Sequence, residues 1–365
     1  MNIYYHHIGE KGAKEDFPKT VYTQRPISLV GDVIPSSNPM REEWIARLEE
    51  EFPSGYFNCW GVPSGAQSVI RTMEEGDVVL LVESVHWPIG MIPVLGQIKA
   101  FFRGELPGLS NSLWGDPRYP YVFFFDTERL NLSWFEFLEH VGYKENFNPR
   151  GMFYRVQDER LNGFSGASGY LEYLRKNHLV TAEQTLQFSK GDLDRAFIGE
   201  PQDFVVSVKS DLDSLAYGAE TSVPRLTDDV SPQETKVNLT PRSAAFRFAI
   251  RNIYSESCAI CGLSAKSPKD NPEVESSHIY PKAMNGSDDL RNGICLCRFH
   301  HWAFDCGWFS ISDDYQIIVK EGIPESDDYS EIVKYNGAKL RLPENSNLHP
   351  HSIFLIEHRK MHGFV

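Results

Sequence analysis

Five of the chain's 6 cysteines fall between residues 258 and 306, as Cys258 and Cys261, then Cys295 and Cys297, then Cys306, with His300 and His301 following the second group. No other feature limits the fold as tightly. C-x2-C followed by C-x2-H supplies the four soft or borderline ligands of a tetrahedral structural Zn²⁺, which closes a module too small to be held by its own core. Cys258, Cys261, Cys297 and His300 are the expected zinc ligands, with Cys295 competing with Cys297 or His300 for the fourth place. Cys59 stands alone upstream, and clustering of this kind reads as metal in a reducing compartment rather than as a disulfide framework.

The rest of the 365-residue chain needs other organisation. At roughly 150 residues per domain the length suggests two domains and a small module. No apolar run reaches the roughly 18 residues of a membrane span, and the start lacks a signal-peptide pattern, so the expectation is a cytoplasmic protein with no membrane partner. With 36 Lys and Arg against 50 Asp and Glu the net charge is -14. That balance argues against a surface that binds nucleic acid everywhere, so any phosphate contact must be local.

Along the chain, residues 1–160 read as a small mixed α+β domain. Asn38 and Pro39 open a helix, Ser64 to Glu75 form another, and apolar runs at 76–84, 90–102 and 121–126 read as buried strands. Ser133 and Glu136 have capping-box spacing, with Trp134, Phe137, Leu138 and Val141 on one helical face. Residues 161–240 hold two short helical patterns, the second opening at Thr181, and from 201 onward read as an acidic linker. Residues 241–365 begin with a helix capped by Thr240 and Pro241, on which Arg247 and Arg251 lie one turn apart with Arg242 near.

Interleaved with the zinc spacings are His278 in SHIYP, Asn292 in DDLRNGICLC and His301 in HHWAFDCG. This order resembles the His-Asn-His (HNH, ββα-metal) nuclease family, in the branch whose helix carries a double histidine followed by Phe-Asp-x-Gly. The resemblance covers about 242–320 and extends to the tail ending EHRKMHGF. It implies His278 as general base, Asn292 as a residue that positions the site or touches the metal, and His301 as ligand of a catalytic Mg²⁺, Mn²⁺, Co²⁺ or Ni²⁺. Phosphodiester hydrolysis needs a base for water and a cation for the phosphorane, and imidazole suits the first role because its reference pKa lies near working pH. His278 and His301 are expected to converge on one cation, with His300 turned toward the zinc. Ser277 stands where many members carry a metal ligand, so Asn292, Asp288, Asp289 or Glu275 are candidates for a second ligand. Asp305 is assigned no catalytic role.

The segments Tyr56 to Ala66, Glu74 to Ser84 and Gly96 to Gly104 look like the PUA-like superfamily of EVE, YTH and SRA domains. The resemblance implies a curved β-barrel holding a flipped nucleobase between aromatic walls, for which Trp60, Trp87 and Trp114 are candidates, with Tyr119 and Phe57 in reserve. The joined reading is a multidomain α+β chain. The activity expected of it is that of a type IV-like, modification-dependent restriction endonuclease reading a modified cytosine in double-stranded DNA, with a homodimer expected for double-strand cleavage. Two alternatives are a non-specific HNH DNase activated by a ligand or protein partner, and a zinc module that only binds.

Overall fold

The computed structural model describes residues 1–8, 13–86, 90–149, 153–228 and 240–364. The chain divides into two compact units, Met1–Val180 and Thr181–Val365.

The first unit is built on one mixed sheet. Its strands are β1 (Ile3–His7), β2 (Arg25–Pro26), β3 (Tyr56–Val62), β4 (Val78–Val82), β5 (Met91–Phe101), β6 (Tyr121–Ser133), β7 (Phe153–Arg155) and β8 (Leu179–Val180). They run in the order β2-β3-β6-β5-β4-β1-β7, with β8 added to β6. Only β1 and β4 are parallel; every other pair is antiparallel. The order leaves β2 and β7 as ends, so among the described residues the sheet is open, and this corrects the closed barrel expected from the PUA-like resemblance.

The unbroken apolar runs follow from burial on both faces. On β4, Val79 and Leu81 enter one core while Val78, Leu80 and Val82 enter the other. The second core is closed by helix Trp134–His140, whose capping box is present: the Ser133 hydroxyl accepts from Glu136 N and Glu136 accepts from Ser133 N. Two expected helices are shorter. The first spans Arg41–Glu51, with Asn38 Oδ1 accepting from Met40 N rather than capping it, and the second reduces to a 3₁₀ turn Ser64–Ala66 and a turn of helix at Gln67–Ile70.

The second unit starts at Thr181, which caps helix Ala182–Leu186 by accepting from Gln184 N. Residues 202–221, expected as linker, form a 20-residue helix. Its buried face, Val208, Leu212, Leu215, Ala216 and Ala219, shares a core with helix Pro241–Ile253. The acidic composition masked this face because Asp203, Asp211 and Asp213 sit between the apolar positions. Residues 229–239 of the expected linker lie outside the described residues. Two ribbons follow, β9 (Val274–His278) with β10 (Gly293–Cys297), and β11 (Phe309–Ile311) with β12 (Ile317–Val319). Helix Arg298–Asp305 follows β10 directly, and helix Ser352–His362 closes the chain.

Candidate active site and metal centre

The four expected ligands meet. Donor atoms of Cys258, Cys261, Cys297 and His300 all lie within 4.8 Å of one another. Cys258 Sγ is 3.6 Å and Cys297 Sγ 3.1 Å from His300 Nδ1, and Cys261 Sγ is 4.0 Å from Cys297 Sγ. A tetrahedron with bonds of about 2.0–2.3 Å has edges of roughly 3.3–3.8 Å, so the donor set fits a metal of zinc's size and preference. His300 Nε2 lies 3.1 Å from the Glu331 carbonyl, which only accepts. Nε2 is therefore the protonated nitrogen and Nδ1 carries the lone pair that a metal needs. Cys295 is buried outside this cluster, its thiol pushed up to about 12 by burial, and Cys306 is exposed. The competition for the fourth place thus falls to Cys297 and His300.

His278 ends β9 directly opposite Gly293 of β10. A side chain at 293 would collide with Ile250, at 2.2 Å, and come within 3.0 Å of Phe246, so glycine lets helix 241–253 approach the ribbon here. Phe246 stacks on the His278 ring at 4.1 Å between centroids and 10° between planes. His278 Nε2 is 2.9 Å from Asp288 Oδ1. Because a carboxylate accepts, Nε2 donates and Nδ1 is left with a free lone pair. Burial raises the Asp288 carboxyl, but the hydrogen bonds from His278 and Lys282 outweigh it, and the group falls below the ordinary carboxylate range. Lys282 Nζ is 3.0 Å from Asp288 Oδ2.

Asn292 has no exposed surface. Its Oδ1 accepts from Tyr280 N at 2.8 Å, and its Nδ2 donates to the Ser287 carbonyl at 2.8 Å and the Tyr280 carbonyl at 3.1 Å. The amide clamps both ends of the 280–287 loop, and its polar groups are given to backbone.

His301, in the first turn after β10, has its own carboxylates. Nδ1 is 2.9 Å from Glu275 Oε2, and Nε2 is 3.5 Å from Asp305 Oδ2, one helical turn on. Glu275 fixes the tautomer, leaving the Nε2 lone pair facing another acceptor, which is a place for a cation. Burial pushes the Asp305 carboxyl up, while the neighbouring His301 and His362 rings oppose it. Ser276 and His278 meet helix 241–253, through Ser276 Oγ donating to the Arg247 carbonyl and the ring stack on Phe246, whereas Glu275 meets helix 298–305. Each histidine thus has its own partners, Asp288 and Phe246 for His278, and Glu275 and Asp305 for His301. Ser277 is buried and donates weakly to the His278 carbonyl at 3.4 Å. Phe246, Lys282 and Asp305 are the members that sequence reasoning missed; the i, i+4 spacing of Asp305 from His301 was the available signal for one of them.

In the first unit the candidate wall residues are mostly core. Trp60 is 4% and Trp114 7% exposed, and Phe57 is wholly buried against Phe52 and Phe124. Trp60 and Trp114 meet edge to face at 5.9 Å, and half-buried Tyr119 meets Trp114 at 6.1 Å. Trp114 lies over Gly61, where a Cβ would come within 2.6 Å of its ring, and donates from Nε1 to Thr20 Oγ1 at 3.1 Å. Trp60 Nε1 is buried without a hydrogen-bond partner. Trp87 lies outside the described residues.

Residues 258–312 match the HNH endonuclease family. Among curated proteins no relative matches the chain. Similar solved structures include the N-terminal domain of Thermococcus gammatolerans McrB bound to m5C DNA, 18% identical over 48% of this chain and 98% of that one, with a TM-score of 0.36. A second is the modification-dependent TagI restriction endonuclease, 13% identical over 80% of this chain and 64% of that one, with a TM-score of 0.26. A third is the type IV phosphorothioation-dependent restriction endonuclease ScoMcrA, 13% identical over 66% of this chain and 38% of that one, with a TM-score of 0.21. The chain thus spans less than two thirds of the length of the last two. No helix among the described residues is long and apolar enough to cross a membrane.

Proposed function

We propose that the chain is a metal-dependent DNA endonuclease of the modification-dependent, type IV-like restriction class. The observation that carries this reading is His278, held by Nε2 on Asp288 with Nδ1 free, inside the segment that matches the HNH endonucleases. In the proposed step Nδ1 takes a proton from water, the hydroxide attacks phosphorus, and the bond to the 3′ oxygen breaks, leaving a 5′ phosphate and a 3′ hydroxyl. His301 Nε2 and Asp305 are the residues placed to hold a divalent ion, Mg²⁺ or Mn²⁺, Co²⁺ or Ni²⁺ in its place. Such an ion supplies charge stabilisation to the phosphorane and the departing oxygen. Asn292 keeps the 280–287 loop in register so that His278 and Asp288 face each other. The cysteine–histidine centre is assigned a structural Zn²⁺ that fixes β10 to helix 298–305.

The first unit is the proposed reader of a modified cytosine. Its support is the PUA-like resemblance and the Trp60, Trp114 and Tyr119 ring cluster, with one buried indole N–H still unpaired. Buried polar groups without a partner are uncommon in native structures and call for an explanation such as a ligand or a water. One active site cuts one strand, so double-strand cleavage would require a homodimer or two copies bound side by side. A second reading, a partner-activated DNase that reads no modification, is favoured by one observation: Phe57, Trp60 and Trp114 are spent on core packing.

Digestion of matched plasmids carrying cytosine, 5-methylcytosine or 5-hydroxymethylcytosine, with Mg²⁺, Mn²⁺ or chelator, separates the readings. Cleavage confined to modified DNA supports the reader. Equal cleavage of all three removes it in favour of the second reading, and no cleavage with any metal ends the endonuclease assignment.

A further inference from the structure

The residues around His278 come from more of the chain than residues 258–312. Residues 225–228, upstream of helix 241–253, lie along the loop that carries Lys282 and Asp288. Ser287 N donates to the Leu226 carbonyl at 3.1 Å and Ser287 Oγ to the Arg225 carbonyl at 2.7 Å. Thr227 and Gly286 form a β-bridge. Asp228 N donates to the Asn285 carbonyl at 3.1 Å, and Asn285 Nδ2 to the Asp228 carbonyl at 2.7 Å. This strap adds a short extended segment to the active-site loop.

The strap brings a charge. Asp228 Oδ2 is 2.8 Å from Lys282 Nζ, whose other partner is Asp288. A parallel arrangement sits on the helices: Arg242 lies 3.7 Å from Asp288 Oδ2 and 3.9 Å from Asp211. The buried Asp288 carboxylate, 3% exposed, thus has two cations on Oδ2, each shared with a second acid, while Oδ1 is given to His278. Were Lys282 not shared, its whole charge would pull on Asp288 and turn the carboxylate away from the imidazole. Asp228 acts as the counterweight that keeps Oδ1 aimed at Nε2, and with it the free Nδ1 aimed outward.

We propose that Asp228 is a positioning residue for the hydrolytic reaction, acting on His278 through Lys282 and Asp288. The proposal rests on the reading of His278 as general base. It makes residues 225–228 part of the catalytic apparatus, within the stretch from 201 onward that the sequence suggested as a linker.

The test uses the full-length protein. In Asp228→Asn the strap's backbone hydrogen bonds remain and only the carboxylate charge is removed. The expected result is a kcat lower by about tenfold with KM within twofold. Asp228→Glu restores most of the rate, and Asp228→Asn combined with Lys282→Met costs no more than Lys282→Met alone, as for groups in one chain of contacts. Nitrogen-15 shifts of the His278 ring, read in the same samples, report loss of the single Nε2-protonated tautomer in Asp228→Asn. Wild-type kcat and an unchanged tautomer in Asp228→Asn overturn the proposal, as does a rate that Asp228→Glu fails to restore. If Asp228→Asn does not fold, Asp228→Ser carries the same test through kcat and the same ring shifts. His278→Ala is run alongside: full cleavage by that variant rejects the general-base reading itself, whatever Asp228 does.

Discussion

The two units differ in what is added to apolar burial to hold their strands. In Met1–Val180 a sheet of eight strands is covered on both faces by aliphatic and aromatic side chains, so polar chemistry has little room and even the candidate base-reading rings are drawn into the core. In Thr181–Val365 the functional strands form a ribbon of two that enters an apolar core through Val274, Ile294 and Leu296, and a four-residue cysteine–histidine cluster, an asparagine clamp and buried ion pairs are added to it. Apolar burial is tolerant of direction, whereas hydrogen bonds and metal ligands are not. A site that must aim one imidazole at a phosphate is better built from the second kind, at the cost of depending on each partner.

Stripping the metal is the most severe way to break this contrast. Structural zinc in small modules contributes roughly 10–16 kcal/mol, so chelation or Cys258→Ala is expected to abolish the melting transition of the second unit and leave that of the first in place. Calorimetry with metal analysis checks this, and joint loss of both transitions would show that the units are not built independently.

Next in size is His278→Ala. Loss of a general base costs on the order of 10²- to 10⁴-fold in rate, here with the second unit's melting point little changed, because the metal centre and the Asn292 clamp remain. Plasmid nicking rates beside the melting curve measure it.

Trp60→Ala sharpens the contrast from the other side. Truncating a buried Trp costs about 3–5 kcal/mol, which is expected on the first unit's transition alone. A variant that melts normally but no longer distinguishes modified DNA would move Trp60 from core to cage.

The smallest effect is the acid limb. Asp288 is held below its ordinary range in the folded state, so its contribution is present above the unfolded-state pKa and is lost as pH falls through the lower folded value. The second unit's melting point should fall in that acid window, and Asp288→Asn should flatten the fall. An unchanged slope in the variant would mean that other carboxylates control acid unfolding.

Legibility in the sequence divided along the same line. The cluster of Cys258, Cys261, Cys297 and His300 was readable because a metal site imposes fixed spacings on one helix turn and one knuckle, and the capping box at Ser133 and Glu136 because it is local. Helix 202–221 was missed because half-buried acids, Asp211 and Asp213, are interspersed among its apolar residues. Asp228 and Lys282, 54 residues apart, carry no mutual signal at all.

The amino-acid order by itself determined which cysteines and histidine come together, which histidine ends a strand and which segments must be buried, since each depends on residue type and short-range spacing. Tertiary structure alone decided that Asp288 receives His278, that Glu275 and Asp305 flank His301, and that Asn292 is spent on backbone. Those are choices among many carboxylates and amides of equal chemistry, and only the packing of distant strands, helices and loops gives one of each pair a partner within hydrogen-bonding or ion-pair reach.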